Sequence, residues 1–499
     1  MRKGPLRLNR DTKNATQRET TRRTGRIEGG IMAAAKVDVI DLIDRHPVTG
    51  FQIGVLVLCM LVAALDGFDT QAIGYTAPAI AAVIHLPMPQ FGQVGSAGLL
   101  GAAVGALSFG PLADIFGRKW FMIIAVILFA IFSYLTAQST SLNGLLAYRF
   151  GTGLGLGGVT PAFLAMGAEL APKRLRDVFV TVLFASFPGG GLIGSLTSAW
   201  VIPTFGWQMV FYIGAVVPLI IAVVLMIWLP ESIRFLLARN IRQDEVRRTL
   251  ERIMPGDVPP PGVELVAPPD PAREGVPVKH LFMEGRAIPT LLLWVPFFTI
   301  FMVLVTVTFW TPAVLNSVGF SLSAAALIIG LNNLGSFIAS ASSGWAVHRG
   351  GAFRVLIPCA IIGGLALAWF GQATTSVAML GTASFLAGFF VGGTGTGLIA
   401  VAAGMYPTSI RSTGLGWAMG MGRVGQVFGP VLTGVLVGLG VKVGGIFFAA
   451  AVPCFIAALF LIFLYFARPR TPPQRPRRRS EAKVYNPSSR GSHSEICGR

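Results

Sequence analysis

The sequence predicts an all-α integral membrane protein, with twelve transmembrane helices arranged as two pseudo-symmetric six-helix halves. Three observations predict it. Of the 499 residues, 53% are hydrophobic and only 12% are charged, whereas a soluble domain carries roughly 25% charged residues. Twelve apolar segments follow one another, each close to the ~20 residues that cross a ~30 Å hydrocarbon core. Two stretches also recur. GPLADIFGRK at Gly110 and SGWAVHRGGAF at Ser343 align their glycines at an offset of 234, and ELAPKRLRD and GMYPTSIRST align Pro172 with Pro407 and Arg176 with Arg411 at an offset of 235.

The elements follow in order. Residues 1–50 form a polar leader with 11 basic and 6 acidic residues, read as a cytoplasmic tail. Because the first apolar run begins about fifty residues in, no cleavable signal is expected and the first segment stays as a helix. MAAAKVDVIDLIDRHP reads as a short amphipathic lead into the membrane, and its Met32 is an alternative start. The first half, 51–229, holds segments at 51–76, 90–113, 120–138, 142–169, 178–202 and 208–229. Residues 230–286, with the Pro-rich centre VPPPGVELVAPPDP, are expected to be a cytoplasmic linker without a core of its own. The second half, 287–467, holds segments at 287–315, 322–347, 355–372, 376–404, 412–438 and 443–467. A basic cytoplasmic tail, 468–499, closes the chain with 9 basic and 2 acidic residues.

Charge sets the expected orientation. All but three of the 40 Lys and Arg lie on the side that holds both termini; the exceptions are Arg149 and Arg423, inside segments, and Lys442 on the far side. Both termini are therefore expected to be cytoplasmic, in a cell inner membrane. The tails supply two thirds of the net charge of +18. With no folded basic domain beneath them, they read as solvated tails that touch anionic lipid, and nucleic acid is not an expected partner.

Several chemistries are disfavoured. Cys59, Cys359 and Cys454 sit in apolar segments and Cys497 in the tail, a pattern that suggests neither a disulfide framework nor a metal site. The runs GTGLGLGG and GGTGTG follow no soluble strand and no Gly-Lys-Ser/Thr completes a phosphate loop, so close packing of helices explains them. No Ser-His-Asp or Cys-His arrangement is visible, so neither an enzyme nor a cofactor is expected. A membrane sensor would need an output domain, which neither tail contains.

The sharp signal is charge inside the membrane. Asp66, Asp69, Arg149, Glu169 and Arg423 each cost at least ~2.5 kcal/mol in hydrocarbon on insertion scales, and such residues normally face a cavity. The repeat strengthens the point, because a shift of 235 maps Asp66 to Phe301, Asp69 to Leu304, Arg149 to Ser384 and Arg423 to Pro188. The scaffold is duplicated and the charges are not. Asp66 and Asp69 are three residues apart and are expected to share a wet helix face. Two carboxylates so close cannot both ionise cheaply, so at least one is expected to take up a proton from outside; the alternative is that they only pair with Arg149 or Arg423 to make the bundle foldable. Glu169 ends its segment three residues before Pro172 and suits a gate or a structural pair with Arg176 or Arg411. Asp114 and Arg118, with Gly110 and Gly117 permitting a tight turn, suit a breakable latch or a plain capping role.

These residues also carry a family resemblance. GPLADIFGRKW resembles the loop signature of the major facilitator superfamily, G-x-L-x-D-x-x-G-R-K, and the likeness extends over about 51–467. PESIRFL, RFGTGLGLGG and YPTSIRSTG are similar to its metabolite symporters, and DGFD, GRVGQVFGP and WTPAVL to its aromatic acid:proton symporters. The second loop departs from the pattern, with His348 where the first has Asp114 and without the Arg-Lys pair.

The resemblance implies the major facilitator fold and proton-coupled uptake of a benzoate- or hydroxybenzoate-type acid by alternating access, with another organic acid or a sugar as the alternative. Asp66 and Asp69 are expected to carry or relay the proton, and the resemblance implies gating at Asp114, Arg118 and Lys119. Arg423 is expected to hold the substrate carboxylate, and Arg149 to serve the outer half of the pathway. Trp310, Trp417, Gln71 and Asn332 are expected to line the site, although plain packing explains them equally well. The transporter is expected to work as a monomer in the bilayer, with a small aromatic acid and protons as its partners.

Overall fold

A computed structural model describes residues 36–239, 241–260, 263–266, 278–372, 376–407 and 410–467. Twelve long helices dominate it. The first six are α1 (Gly50–Ile84), α2 (Phe91–Phe116), α3 (Arg118–Ala137), α4 (Leu142–Leu170), α5 (Arg176–Phe205) and α6 (Gln208–Trp228). The second six are α7 (Ala287–Ser317), α8 (Leu322–Gly350), α9 (Ala352–Gln372), α10 (Val377–Met405), α11 (Arg411–Gly438) and α12 (Val443–Ala467). Eleven are long and apolar enough to cross a membrane. The twelfth, α11, carries Arg423 and Gln426 and packs against α7 and α2 as α5 packs against α1 and α8. The molecule is a multi-pass membrane protein, and the two ends of its bundle are termed here the linker end, which carries residues 229–286, and the far end.

α1 runs eight residues past the expected 76, through Pro78. A proline inside a helix removes one donor, here the one that would reach the Gly74 carbonyl, and the apolar residues that follow still favour burial. The helix stops at His85, in the left-handed region at φ 53°. At the α2–α3 and α8–α9 turns the repeat needs glycine for its backbone, since Gly117 has φ +111° and Gly351 has φ +81°. Gly110, expected to help that turn, lies within α2, where its nearest neighbour would be Pro161 Cγ at 3.9 Å from an added Cβ. The turn depends on Gly117 alone.

The duplication is visible in packing. α2 pairs with α4 and α8 with α10; α1 with α5 and α7 with α11; α3 with α6 and α9 with α12. Between the halves, α5 meets α8 and α11 meets α2. Three apolar clusters result. One belongs to the first half, one to the second, and a third unites both halves at the far end through residues such as Ile80, Phe91, Trp207, Phe309, Trp310 and Leu315. Among the described residues the halves thus share apolar core only toward the far end.

The described residues of the linker form no separate core: most of their apolar residues join the core of the first half, while Leu281 joins that of the second. Helix Gln243–Ile253 buries Val246, Leu250 and Ile253, and strand β2 (Glu264–Val266) pairs in parallel with β1 (Lys36–Asp38). Helix Val39–Arg45 buries Val39, Ile40 and Ile43, the first and last of them in the same cluster. Lys173 ties this lead down through Asp41 and Asp44, at 3.3 and 2.9 Å. Partial burial of the Asp44 carboxyl opposes ionisation, but hydrogen bonds and charge from Lys173 outweigh it and hold Asp44 below its ordinary value.

Candidate functional site

Asp69 and Arg149 form a closed pair inside the first half. Asp69 on α1 is fully buried, and its Oδ2 lies 2.8 Å from Arg149 Nη1 on α4. Arg149 Nη2 also donates to the Asp69 carbonyl at 3.1 Å, and its guanidinium stands 5.8 Å from the centre of the Phe211 ring. Ser133 on α3 donates to Asp69 Oδ1 at 3.4 Å. The pair therefore sits among α1, α3, α4 and α6 rather than between the halves. Arg149, expected to serve the outer half of the pathway, is placed inside the first half, where its side chain is 3% exposed and paired with Asp69.

Asp66, three residues earlier, turns elsewhere. Three residues at 100° each leave two side chains 60° apart, enough to send them to different surroundings, so the two do not share one wet face. Asp66 Oδ1 accepts from Thr70 Oγ1 at 3.1 Å and Oδ2 from Thr160 Oγ1 of α4 at 3.3 Å. It lies within electrostatic range of Arg423 across the interface between the halves. Arg423 is twelve residues into α11, ~18 Å from the linker end at 1.5 Å per residue. Half-buried, it makes one side-chain hydrogen bond among the described residues, from Nη1 to Gln426 Oε1 at 3.3 Å, and no ion pair within 4 Å. Four of its five N–H donors remain available. The site thus contains one compensated arginine and one uncompensated arginine, each near an acid of α1.

The remaining candidate contacts divide. Trp310 is buried in the far-end cluster, where its Nε1 donates to Pro430 O at 3.1 Å, so it joins α7 to α11 and does not line a cavity. Trp417 is 45% exposed and stacks on Trp294 with centroids 5.9 Å apart, on the outside of the second half. Asn332 faces into the second half and donates to Ser384 O at 3.0 Å. Gln71 does sit between the halves, but its partner is the neighbouring Asn333 of α8. Tandem asparagines point about 100° apart on a helix, and nothing in the sequence says which faces the partner half.

At the linker end Arg118 reaches Asp114 at 3.1 Å and Glu169 at 2.9 Å. Glu169 therefore pairs with Arg118, and neither Arg176 nor Arg411 is its partner. Those two arginines instead return to the chain before them, Arg176 to Ala168 O at 3.0 Å and Arg411 to Tyr406 O at 3.5 Å, the same capping task in each half. Lys119 lies against Trp120.

Sequence reasoning missed Glu231 and Ser232. Glu231 Oε1 accepts from the backbone N–H groups of Arg118, Lys119 and Ser232 at 2.9 to 3.0 Å, so it caps the start of α3. Ser232 donates to Glu169 at 2.7 Å and caps the helix Ile233–Ala238. A Pro-Glu-Ser run between an apolar segment and a short apolar turn was the available signal.

The profile of the Major Facilitator Superfamily matches residues 59–385 and 354–492. The 4-hydroxybenzoate transporter PcaK of Pseudomonas putida is 36% identical over 85% of this chain and 95% of its own. The gallate transporter of Pseudomonas putida is 35% identical over 88% of this chain and 97% of its own. Among solved structures, the inward-open xylose transporter XylE of E. coli superposes with a TM-score of 0.66 at 19% identity, over 85% of this chain and 98% of that one, a likeness of fold alone. The chain belongs to the Major Facilitator Superfamily of membrane transporters.

Proposed function

We propose that this protein takes up a small aromatic carboxylate together with protons by alternating access, with the linker end in the cytoplasm of a cell inner membrane. One observation carries the reading: Arg423, half-buried mid-membrane, has no carboxylate within 4 Å among the described residues. A guanidinium can bind a carboxylate bidentately, and a neutral sugar has no such need of it. The relatives named above, carriers of hydroxybenzoate and gallate, support an aromatic acid.

Asp66 links the anion to the proton. An arriving carboxylate and an ionised Asp66 would compete for one guanidinium, so a proton on Asp66 accompanies the anion. Asp69 holds a second proton site, because protonation there would release Arg149 from its pair. One proton per monoanion is electroneutral, whereas a second draws on the membrane potential at ~2.3 kcal/mol per 100 mV. The Arg118–Asp114–Glu169 cluster, with Lys119 beside it, would act as the gate at the linker end.

Proteoliposome uptake of 4-hydroxybenzoate, gallate, benzoate and xylose, with and without an inward proton gradient, tests the reading. The aromatic acids should accumulate with the gradient and xylose should not. Arg423→Lys should lose most uptake and Arg423→Ala essentially all. Asp66→Asn should lose gradient-driven accumulation while retaining exchange. Unaltered substrate affinity in Arg423→Ala would remove Arg423 from the site.

A further inference from the structure

Beyond the charged groups, the interface between the halves holds a closed polar knot. Gln71 and Tyr75 on α1 and Asn333 on α8 are all buried. The two amides bond reciprocally, Gln71 Nε2 to Asn333 Oδ1 at 3.2 Å and Asn333 Nδ2 to Gln71 Oε1 at 2.8 Å. Tyr75 OH lies 2.7 Å from Gln71 Oε1 and 3.0 Å from Gly191 O of α5, and it accepts from Asn333 Nδ2 at 3.3 Å. Space for the knot comes from Gly191, since a Cβ there would stand 2.3 Å from Gln71 Nε2.

Its place on α1 is informative. Gln71 and Tyr75 lie five and nine residues beyond Asp66, about 7.5 and 13.5 Å further toward the far end. The internal repeat shows that the fold does not require it. A shift of 235 takes Tyr75 to Trp310, another buried aromatic whose polar tip reaches a carbonyl of its partner helix. Yet it takes Gln71 to Thr306, and Asn333 shifts back by 234 to Leu99, so the counterpart interface of α7 and α2 has no amide pair. The aromatic anchor belongs to the scaffold; the reciprocal amides are added to one side.

We propose that the Gln71–Asn333 pair, steadied by Tyr75, is a latch that holds the far end shut in this conformation and sets how often the empty carrier opens outward. It rests on the alternating-access reading above. A mutually satisfied amide pair is stable while dry, and each amide loses little when water reaches both, so the contact can break and re-form as the halves rock. Removing one partner strands the other in a dry interface and favours the open form.

The test reads conformation, not transport. In a background with the native cysteines replaced, Ser195→Cys places a thiol one turn beyond Gly191, at a buried position between α5 and α8. Without substrate, a membrane-impermeant maleimide added outside should label it slowly. Gln71→Leu and Asn333→Leu should each raise that rate roughly threefold to tenfold. Gln71→Asn or Asn333→Gln alone should also raise it, and the reciprocal swap carrying both should restore the slow rate. Unchanged labelling in both leucine variants would overturn the latch, as would a swap whose effect is the sum of its parts; the swap comparison still decides if the leucine variants fail to fold. Because no substrate is present, the latch can pass while aromatic-acid uptake fails, or fail while uptake stands.

Discussion

An ion pair as buried as Asp69–Arg149 adds little net stability, because desolvating both charges offsets their attraction. Its loss is another matter, since removing one partner strands a charge in an apolar bundle and costs about 3–5 kcal/mol. Asp69→Asn and Arg149→Gln are each expected to lower the unfolding temperature of the purified protein markedly. The double variant should recover most of that loss, because it removes both charges together. It should still fail to accumulate substrate on a proton gradient. Recovered transport in the double variant would show that the pair is structural. At this scale the sequence pointed to the acids and to Arg149 or Arg423 as partners, but not to which acid meets which arginine. Asp66 and Asp69 stood out because charge in hydrocarbon is costly, but three residues of spacing did not say that one carboxylate would meet Arg149 and the other two threonine hydroxyls. Gln426 and Asn333 gave no signal, since an uncharged amide is unremarkable among small residues until its neighbours are known.

At the scale of elements, the reading of GTGLGLGG as a packing surface has a geometric form. A Cβ on Gly153 would lie 1.8 Å from Gly98 O, and one on Gly157 would lie 1.9 Å from Ala102 O, so α4 and α2 touch backbone to backbone. The second half repeats the contact at Gly388, whose added Cβ would lie 2.0 Å from Asn332 O. The offsets are 235 for the glycine and 234 for the carbonyl, the two values the loops carry in sequence. A backbone oxygen cannot rotate away, so Gly153→Ala must push the helices apart. Overpacking of this kind costs typically about 1–3 kcal/mol, and the variant should aggregate at a clearly lower temperature on fluorescence-detected size exclusion. Gly110→Ala, with only Pro161 Cγ at 3.9 Å, should behave as wild type. Helices were legible because hydrocarbon fixes their length and apolarity. The end of α1 was not, because Pro78 reads as a stop although its missing donor removes one hydrogen bond only.

At the scale of the whole molecule, the contacts between halves are uneven along the bundle. The hydrogen bond that links α2 directly to α11, from Ser96 Oγ to Val427 O at 2.6 Å, and the close approaches of Gly92 to Pro430 and of Gly434 to Pro89 all lie at the far end. The apolar clusters of the two halves stay separate toward the linker end. Under the topology proposed above, this is the arrangement expected of a carrier closed outside and open inside, and no apolar pattern in the sequence could reveal it, because both states bury the same helices. It can be trapped. A Cβ built on Gly438 would stand 3.6 Å from Pro89 Cβ, inside the 3.5–4.5 Å that a disulfide needs. With the native cysteines replaced, Pro89→Cys and Gly438→Cys should each transport alone. Together they should cross-link on mild oxidation from outside, and uptake should stop because the far end can no longer part. A membrane-impermeant reductant added outside should restore it. Full uptake by the cross-linked protein would mean that the halves do not separate there during transport.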